Sequence, residues 1–245
     1  MPVFKKIILL GRPASGKSEL IDFLKKLPQA KREEDFHVGS IFELDDFVWL
    51  WQKFMEDDLW EQSGHKRLYS EKDAEGYAIT EKGVLDYCLE KFNEEIHKRC
   101  QEYTHGTFCN DETIFIEFSR GAGDGGYAYA LNKLSDDVLK EAAIFFVFTS
   151  YEESCRRNEA RYREKLKHSI LAHKVPPKDM ERFGKEIDWL QLTGDCCKGL
   201  LKIRGLELPF VTLNNEPELK EGPELHQRYK DVFDSLSSLY FGGTL

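Results

Sequence analysis

With 245 residues, 41% of them hydrophobic and 32% charged, the chain is long enough to bury the core of one α/β domain carrying insertions, and too polar for a membrane protein. A formal net charge of -9 argues against extended contact with a polyanion, so no nucleic acid polymer is expected as partner; a small phosphorylated ligand needs only a local cluster of positive charge. No apolar run approaches a bilayer span and residues 1–10 lack the features of a secretory leader, so no membrane partner is expected and the cytoplasm is the expected compartment.

The six cysteines (Cys88, Cys100, Cys109, Cys155, Cys196, Cys197) include no C-x-x-C pair and read as reduced thiols, the vicinal pair as loop residues. The seven histidines show no metal-ligand spacing.

The most specific signal comes first in the chain. The apolar run Ile7-Ile8-Leu9-Leu10 reads as a buried strand, Gly11-Arg12-Pro13-Ala14-Ser15-Gly16-Lys17-Ser18 follows it, and Lys17–Leu27 continues as an amphipathic helix. Gly11 and Gly16 permit backbone conformations that a Cβ obstructs, leaving successive main-chain N–H groups free to point at phosphate oxygens, reinforced by the helix N-terminus. Lys17 is placed to neutralise the β- and γ-phosphates, and the Ser18 hydroxyl to coordinate Mg²⁺. The four fixed positions arise by chance in about one chain of this length in a hundred. The strand before and helix after argue further against an ordinary glycine-rich turn.

A weaker strand is expected near Asp35–Val38, followed by a helix over Ser40–Glu61 that carries Asp45 and Asp46. A carboxylate reaching the γ-phosphate from this side can take the proton of an acceptor hydroxyl. Adjacent residues cannot face the same way on a helix, and Asp46 is slightly favoured over Asp45; the competing account is a pair of helix N-terminal acids. Trp49, Trp51, Trp60, Tyr69 and Tyr77 crowd the stretch 47–80. Their rings suit stacking on a base or covering a sugar, with His65, Lys66 and Arg67 supplying charge, or a core or interface.

The clearest helix is Glu81–Tyr103, where Val84, Leu85, Cys88, Leu89, Phe92 and Ile96 recur at helical spacing. Strands are expected at Thr113–Phe118, Ala142–Thr149 and Pro209–Leu213, and further helices at Ser135–Lys140, Tyr151–Lys167, Lys178–Leu190 and Glu224–Leu239. Strands alternating with helices imply a mostly parallel sheet covered on both faces, with chemistry beyond the carboxyl ends of the strands. There, Glu117 at a strand tip is placed to hold Mg²⁺, commonly through water, and Arg120 to bind an acceptor carboxylate or phosphate; a structural ion pair is the plainer alternative. The glycines of residues 121–126 suit a pliable loop. Arg156 or Arg157, then Arg161, share a helical face that can close on phosphates, unless the helix is simply solvated. His168–Pro177 and Lys178–Leu190 read as a second small helical element, and Asn214 and Asn215 follow the last strand.

Taken together, GRPASGKS, the paired aspartates after the second strand, EFSR and the arginine-bearing helix resemble the nucleoside and nucleotide kinase branch of the P-loop NTPases. That branch also holds small-metabolite kinases such as gluconate and shikimate kinases, and the zeta toxins. The resemblance implies a three-layer α/β P-loop NTPase fold, with a five-stranded parallel sheet in the order 2-3-1-4-5, helices on both faces and a helical lid. Residues 1–245 then form one domain with a helical insertion at about 47–105 and a lid-like segment at about 151–190. It implies ATP phosphates on Gly11–Ser18, Mg²⁺ on Ser18 with Glu117, a base at Asp46 or Asp45, acceptor recognition by Arg120, lid arginines among Arg156, Arg157 and Arg161, and adenine contacts from Asn214 and Asn215.

The function expected is transfer of the γ-phosphoryl group of ATP to a nucleoside, nucleotide or sugar-like metabolite, with a homodimer left open. The alternative is an ATPase or nucleotide-dependent switch acting on a protein partner. The acceptor and lid motifs of nucleoside monophosphate kinases are not intact, and no guanine-reading N-K-x-D motif is recognisable.

Overall fold

The computed structural model describes residues 2–73, 76–104, 111–166 and 174–242. β1 (Lys6–Gly11) is buried at every position and turns through the glycine-rich segment into α1 (Lys17–Lys26). α2 (Gln29–Phe36) and β2 (Ser40–Asp45) follow, and β2 runs directly into α3 (Asp46–Gln62). An antiparallel hairpin, β3 (Ser70–Lys72) and β4 (Tyr77–Ile79), precedes α4 (Gly83–Thr104). Next come β5 (Glu112–Phe118), α5 (Gly126–Lys133), α6 (Asp136–Leu139), β6 (Ala142–Phe148) and α7 (Tyr151–Leu166). α8 (Pro177–Met180), a π-helical turn (Glu181–Lys185) and α9 (Trp189–Thr193) lead to β7 (Lys198–Ile203), β8 (Leu206–Asn214) and α10 (Pro223–Gly242).

Among the described residues, six strands form the central sheet in the order β2-β5-β1-β6-β8-β7. β2, β5, β1, β6 and β8 pair in parallel, and β7 runs antiparallel to β8 at the edge. Central β1, β5 and β6 are covered on both faces, which is why they read as largely apolar runs, β5 interrupted by Glu117 near its end. On one face Ile7, Leu9 and Phe145 pack with Leu20 of α1, Phe36 of α2 and Phe233 of α10. On the other, Ile8, Leu10 and Phe146 pack with Phe92 of α4, Leu131 of α5 and Trp189 of α9. The result is a three-layer α/β arrangement.

Several expectations are corrected. The sheet differs in count and order from the five-stranded 2-3-1-4-5 arrangement, because Lys198–Ile203 adds a sixth strand; its Lys, Gly and exposed Leu200 mask the strand pattern of an edge position. Asp35–Val38 is not a strand: Asp35 and Phe36 end α2, and His37 caps it in the left-handed conformation. The second strand is instead Ser40–Asp45, so the helix expected from Ser40 begins at Asp46; Ile41 and Phe42 contact opposite cores, a two-sided burial that hides strand alternation. The expected insertion contains a β-hairpin as well as helices, and the glycine-rich stretch after Arg120 forms a 3₁₀ turn leading into α5. The helix expected over Lys178–Leu190 is broken into α8, the π-turn and the start of α9. Of the element expected from His168, residues 168–173 lie outside the described residues, as does Lys167 at the end of the helix expected from Tyr151.

The hairpin is fixed to α3 by a buried carboxylate. Asp57 accepts from the N–H groups of Leu68 (2.7 Å), Tyr69 (2.9 Å) and Ser70 (2.7 Å) and from Ser70 Oγ (2.7 Å). Burial pushes the Asp57 carboxyl up, and these four donors outweigh it, holding the group below the usual carboxylate range. Its stabilising effect is therefore present above that range and lost as pH falls through it. Asp57→Ala should destabilise the fold by about 3 kcal/mol in urea titrations at pH 7, with the difference from wild type shrinking in acid.

Candidate functional site

The carboxyl ends of β1, β2 and β5 open onto a cavity of about 270 Å³, the position where open α/β sheets place ligands. The glycine-rich loop after β1 forms its floor. Gly11 (φ +151°) and Gly16 (φ +108°) adopt backbone conformations closed to most side chains, and a Cβ on them would lie 2.5 Å from the Val147 carbonyl oxygen and 2.4 Å from Asn215 Nδ2.

The loop is held from behind. The Ser15 carbonyl accepts from Asn215 Nδ2 (2.8 Å) and Arg157 Nη1 (3.3 Å), Arg157 Nη2 donates to the Asn215 carbonyl (2.6 Å), and Ser154 Oγ donates to the Pro13 carbonyl (2.5 Å). Across a trans peptide the C=O and N–H point in opposite directions, so fixing the Pro13 and Ser15 carbonyls outward turns the Ala14 and Gly16 N–H groups toward the concave side. Gly16 caps α1 with no side-chain hydrogen bond, and Ser15 Oγ is buried without a partner among the described residues. The loop thus presents donors at the start of a ten-residue helix.

Lys17 is buried, its Nζ donating to the Gly11 and Arg12 carbonyls (3.1 Å each) and to Ser119 Oγ (2.9 Å), 3.8 Å from Glu117 Oε1. Ser18 Oγ donates to the same Glu117 oxygen at 3.3 Å. Asp45, paired in register with Glu117, ends β2 and caps α3 by accepting from the Phe47 N–H at 2.9 Å. Burial pushes the Glu117 carboxyl up, Lys17 opposes this and Asp45 adds to it; burial and the charge of Asp46 do the same to Asp45. Asp46, the first residue of α3, is buried against the equally buried Arg120, whose Nη1 donates to Asp46 Oδ2 at 2.7 Å while Nη2 donates to the Leu85 carbonyl at 3.2 Å. Burial raises Asp46 and Arg120 opposes the rise.

Lys17, Ser18, Asp45, Asp46, Glu117 and Arg120, spread over a hundred residues of sequence, therefore line one cavity. Arg161 reaches the same cavity and is ion-paired with Glu19 of α1. Other expected site residues lie elsewhere. Arg12 points away, donating to the Gly184 and Thr149 carbonyls. Arg157 is a brace behind the loop, also paired with Glu153 at 2.7 Å, and Arg156 is an exposed partner of Glu153. Asn215 is part of that brace, whereas Asn214 is exposed and accepts from the Glu216 N–H at 3.2 Å.

The far side of the cavity is apolar. Trp51, Phe54 and Tyr77 line it, Phe54 and Tyr77 stacked at 5.1 Å and 8°, with Trp51 edge-on to Tyr77 at 5.5 Å. Trp49 instead packs on Phe92, and Trp60 is exposed. Sequence reading missed Ser119, which holds Lys17, and Asp179 and Phe183, which complete the apolar wall. Asp179 follows Pro176-Pro177, and an acid in a first helical turn carries no signal beyond the helix start.

A scan of protein-family models finds no match, and no curated protein matches. Among solved structures, the chain is similar to the crystal structure of APE1195, at 15% identity over 98% of each chain and a TM-score of 0.47. A likeness that distant says nothing of what the chain does.

Glu117, ionised against burial, should be an internal source of instability. Because its folded pKa lies above the unfolded value, the protonated form favours the fold: its contribution is complete below the ordinary carboxylate range and lost as pH rises through about 7. Glu117→Gln should stabilise the ligand-free protein at pH 8 by on the order of 1–2 kcal/mol and flatten the pH dependence of its thermal midpoint between pH 5 and pH 8, as measured by calorimetry.

Proposed function

We propose that the protein is a P-loop phosphotransferase that uses ATP and Mg²⁺ and passes the γ-phosphoryl group to a hydroxyl of a small molecule. The observation that carries this reading is the single cavity in which the phosphate-loop residues Lys17 and Ser18 face the buried Asp46–Arg120 pair, with an apolar aromatic compartment beyond. The sheet supports the P-loop NTPase assignment: with β7 set aside, the parallel strands lie side by side as second, third, first, fourth and fifth in chain order.

In this reading the triphosphate lies along the inward N–H groups of Ala14 and Gly16 and the N-terminus of α1, its charge met by Lys17. Ser18 and Glu117, with Asp45 beside them, are an all-oxygen donor set suited to Mg²⁺, a hard cation that keeps most of its ligands as water and phosphate. The ion would neutralise charge developing on the phosphates. Asp46, oriented by Arg120, takes the proton of the attacking hydroxyl, and the Arg120 charge opposes the upward push that burial gives this carboxyl. The aromatic wall excludes water, which favours transfer over hydrolysis. Arg161, at the mouth, can exchange Glu19 for a phosphate oxygen.

The test is ADP formation from ATP and Mg²⁺ with and without a pooled set of nucleosides, nucleotides and sugars. Strong stimulation by one compound is expected; a steady rate indifferent to all of them would favour hydrolysis coupled to a protein partner instead. Lys17→Ala should abolish the stimulated rate with the fold intact by circular dichroism. Asp46→Asn should lower it at least about a hundredfold while calorimetry shows ATP binding little changed, and an unaltered rate would remove Asp46 from the role of base.

A further inference from the structure

Among the described residues, the apolar half of the cavity includes a buried carboxylate with one unmet oxygen. Asp179 in α8 is 3% exposed, and its Oδ2 accepts from the Ile79 N–H of β4 at 2.9 Å. Its other oxygen, Oδ1, is buried and has no hydrogen-bond partner among the described residues. The carboxylate is held firmly: Arg182, clamped to Asp124 through contacts of 2.7 to 3.0 Å, donates to the Ile79 carbonyl at 3.0 Å, so both polar backbone groups of Ile79 are tied to the same segment of chain. Burial pushes the Asp179 carboxyl up to about 6, and in its ionised form the group is acceptor-only. An unpaired buried oxygen is costly unless something else supplies its donor. The surfaces nearby are flat and apolar: the Phe54–Tyr77 stack and the Trp51 ring.

We propose that Asp179 is a specificity-determining residue whose Oδ1 accepts from an amino group of the bound acceptor, so that the compartment selects a planar heterocyclic compound bearing an N–H donor over its amine-free counterpart. The inference rests on reading the aromatic half of the cavity as the acceptor compartment. A ring lies along the apolar wall, the donor satisfies the orphaned oxygen, and a ligand with a carbonyl there sets two acceptors against each other. The hydroxyl to be phosphorylated then points toward Asp46 and the phosphate loop.

Titration calorimetry of the full chain with cytidine against uridine, and guanosine against inosine, tests this directly, since each pair differs in an amino group. Wild type should bind the amino member of at least one pair about 10- to 100-fold more tightly. Asp179→Asn, with unaltered circular dichroism, should erase that preference, since its amide oxygen still serves the Ile79 N–H while its NH₂ confronts the ligand's. Equal affinities within both pairs, no binding of any of the four, or a preference that survives in the Asn variant would overturn the proposal. The wild-type comparison decides by itself if the variant does not fold. Phosphoryl transfer plays no part in this measurement, so an intact preference without acceptor-stimulated ADP formation would remove the phosphotransferase reading alone, and stimulated ADP formation without an amine preference would remove this inference alone.

Discussion

The carbonyl of Ser15 faces away from the cavity because two side chains from distant parts of the chain donate to it, Asn215 from the end of β8 and Arg157 from α7. Everything at the glycine-rich loop depends on that constraint. A glycine-rich loop by itself is flexible, and its N–H groups point inward only while its carbonyls are held outward. Here the restraint comes from α7 and from the residue that follows β8, so the geometry of the cup is a property of the assembled fold and not of residues 11–18 alone. The residues most exposed to this constraint are the ones a sequence motif leaves out.

The same cavity sets stability against use. Asp45, Asp46 and Glu117 lie within one small volume, each with its carboxyl raised by burial, a rise that Lys17, Arg120, the Phe47 N–H and the Ser18 hydroxyl oppose without cancelling. A structural ion-pair network would be expected to satisfy these charges more evenly. The imbalance is understandable if a polyanion and its cation complete the site, and the strain is supported by the three packed clusters of the core and by the Asp57 anchor under the hairpin.

Much of this was legible in the sequence where burial leaves a simple signature. β1, β5 and β6 are covered on both faces, so their apolar runs mark them without ambiguity, and α4 shows helical spacing because one face is wet. β2 and β7 were missed for the converse reason. They sit at the two edges of the sheet, β2 with partly buried side chains on both faces and β7 with an exposed Leu200, and the β2 segment IFELD resembles a helix start as much as a strand end. Of the candidate site, Lys17, Ser18, Glu117 and Arg120 could be gathered because they follow or end the recognisable strands β1 and β5, whereas Asp45 and Asp46 stood out as paired acids although the strand before them was misplaced. Arg157 and Arg161 lie one helical turn apart yet end in different places, one behind the loop and one at the cavity mouth, and only the packing of α7 against the loop separates them. Asp179 was beyond reach because its importance lies in an unmet bond, and composition does not record those.

The ammonium of Lys17 already touches the Gly11 and Arg12 carbonyls and Ser119. It is therefore stored dry and in position, with protein oxygens standing where a hydration shell would otherwise be. Under the function proposed above, an incoming phosphate would exchange one set of neutral oxygens for charged ones without first stripping water from the cation or freezing a free four-carbon chain, so the two largest entropic and desolvation penalties of a lysine contact would have been met when the polypeptide folded.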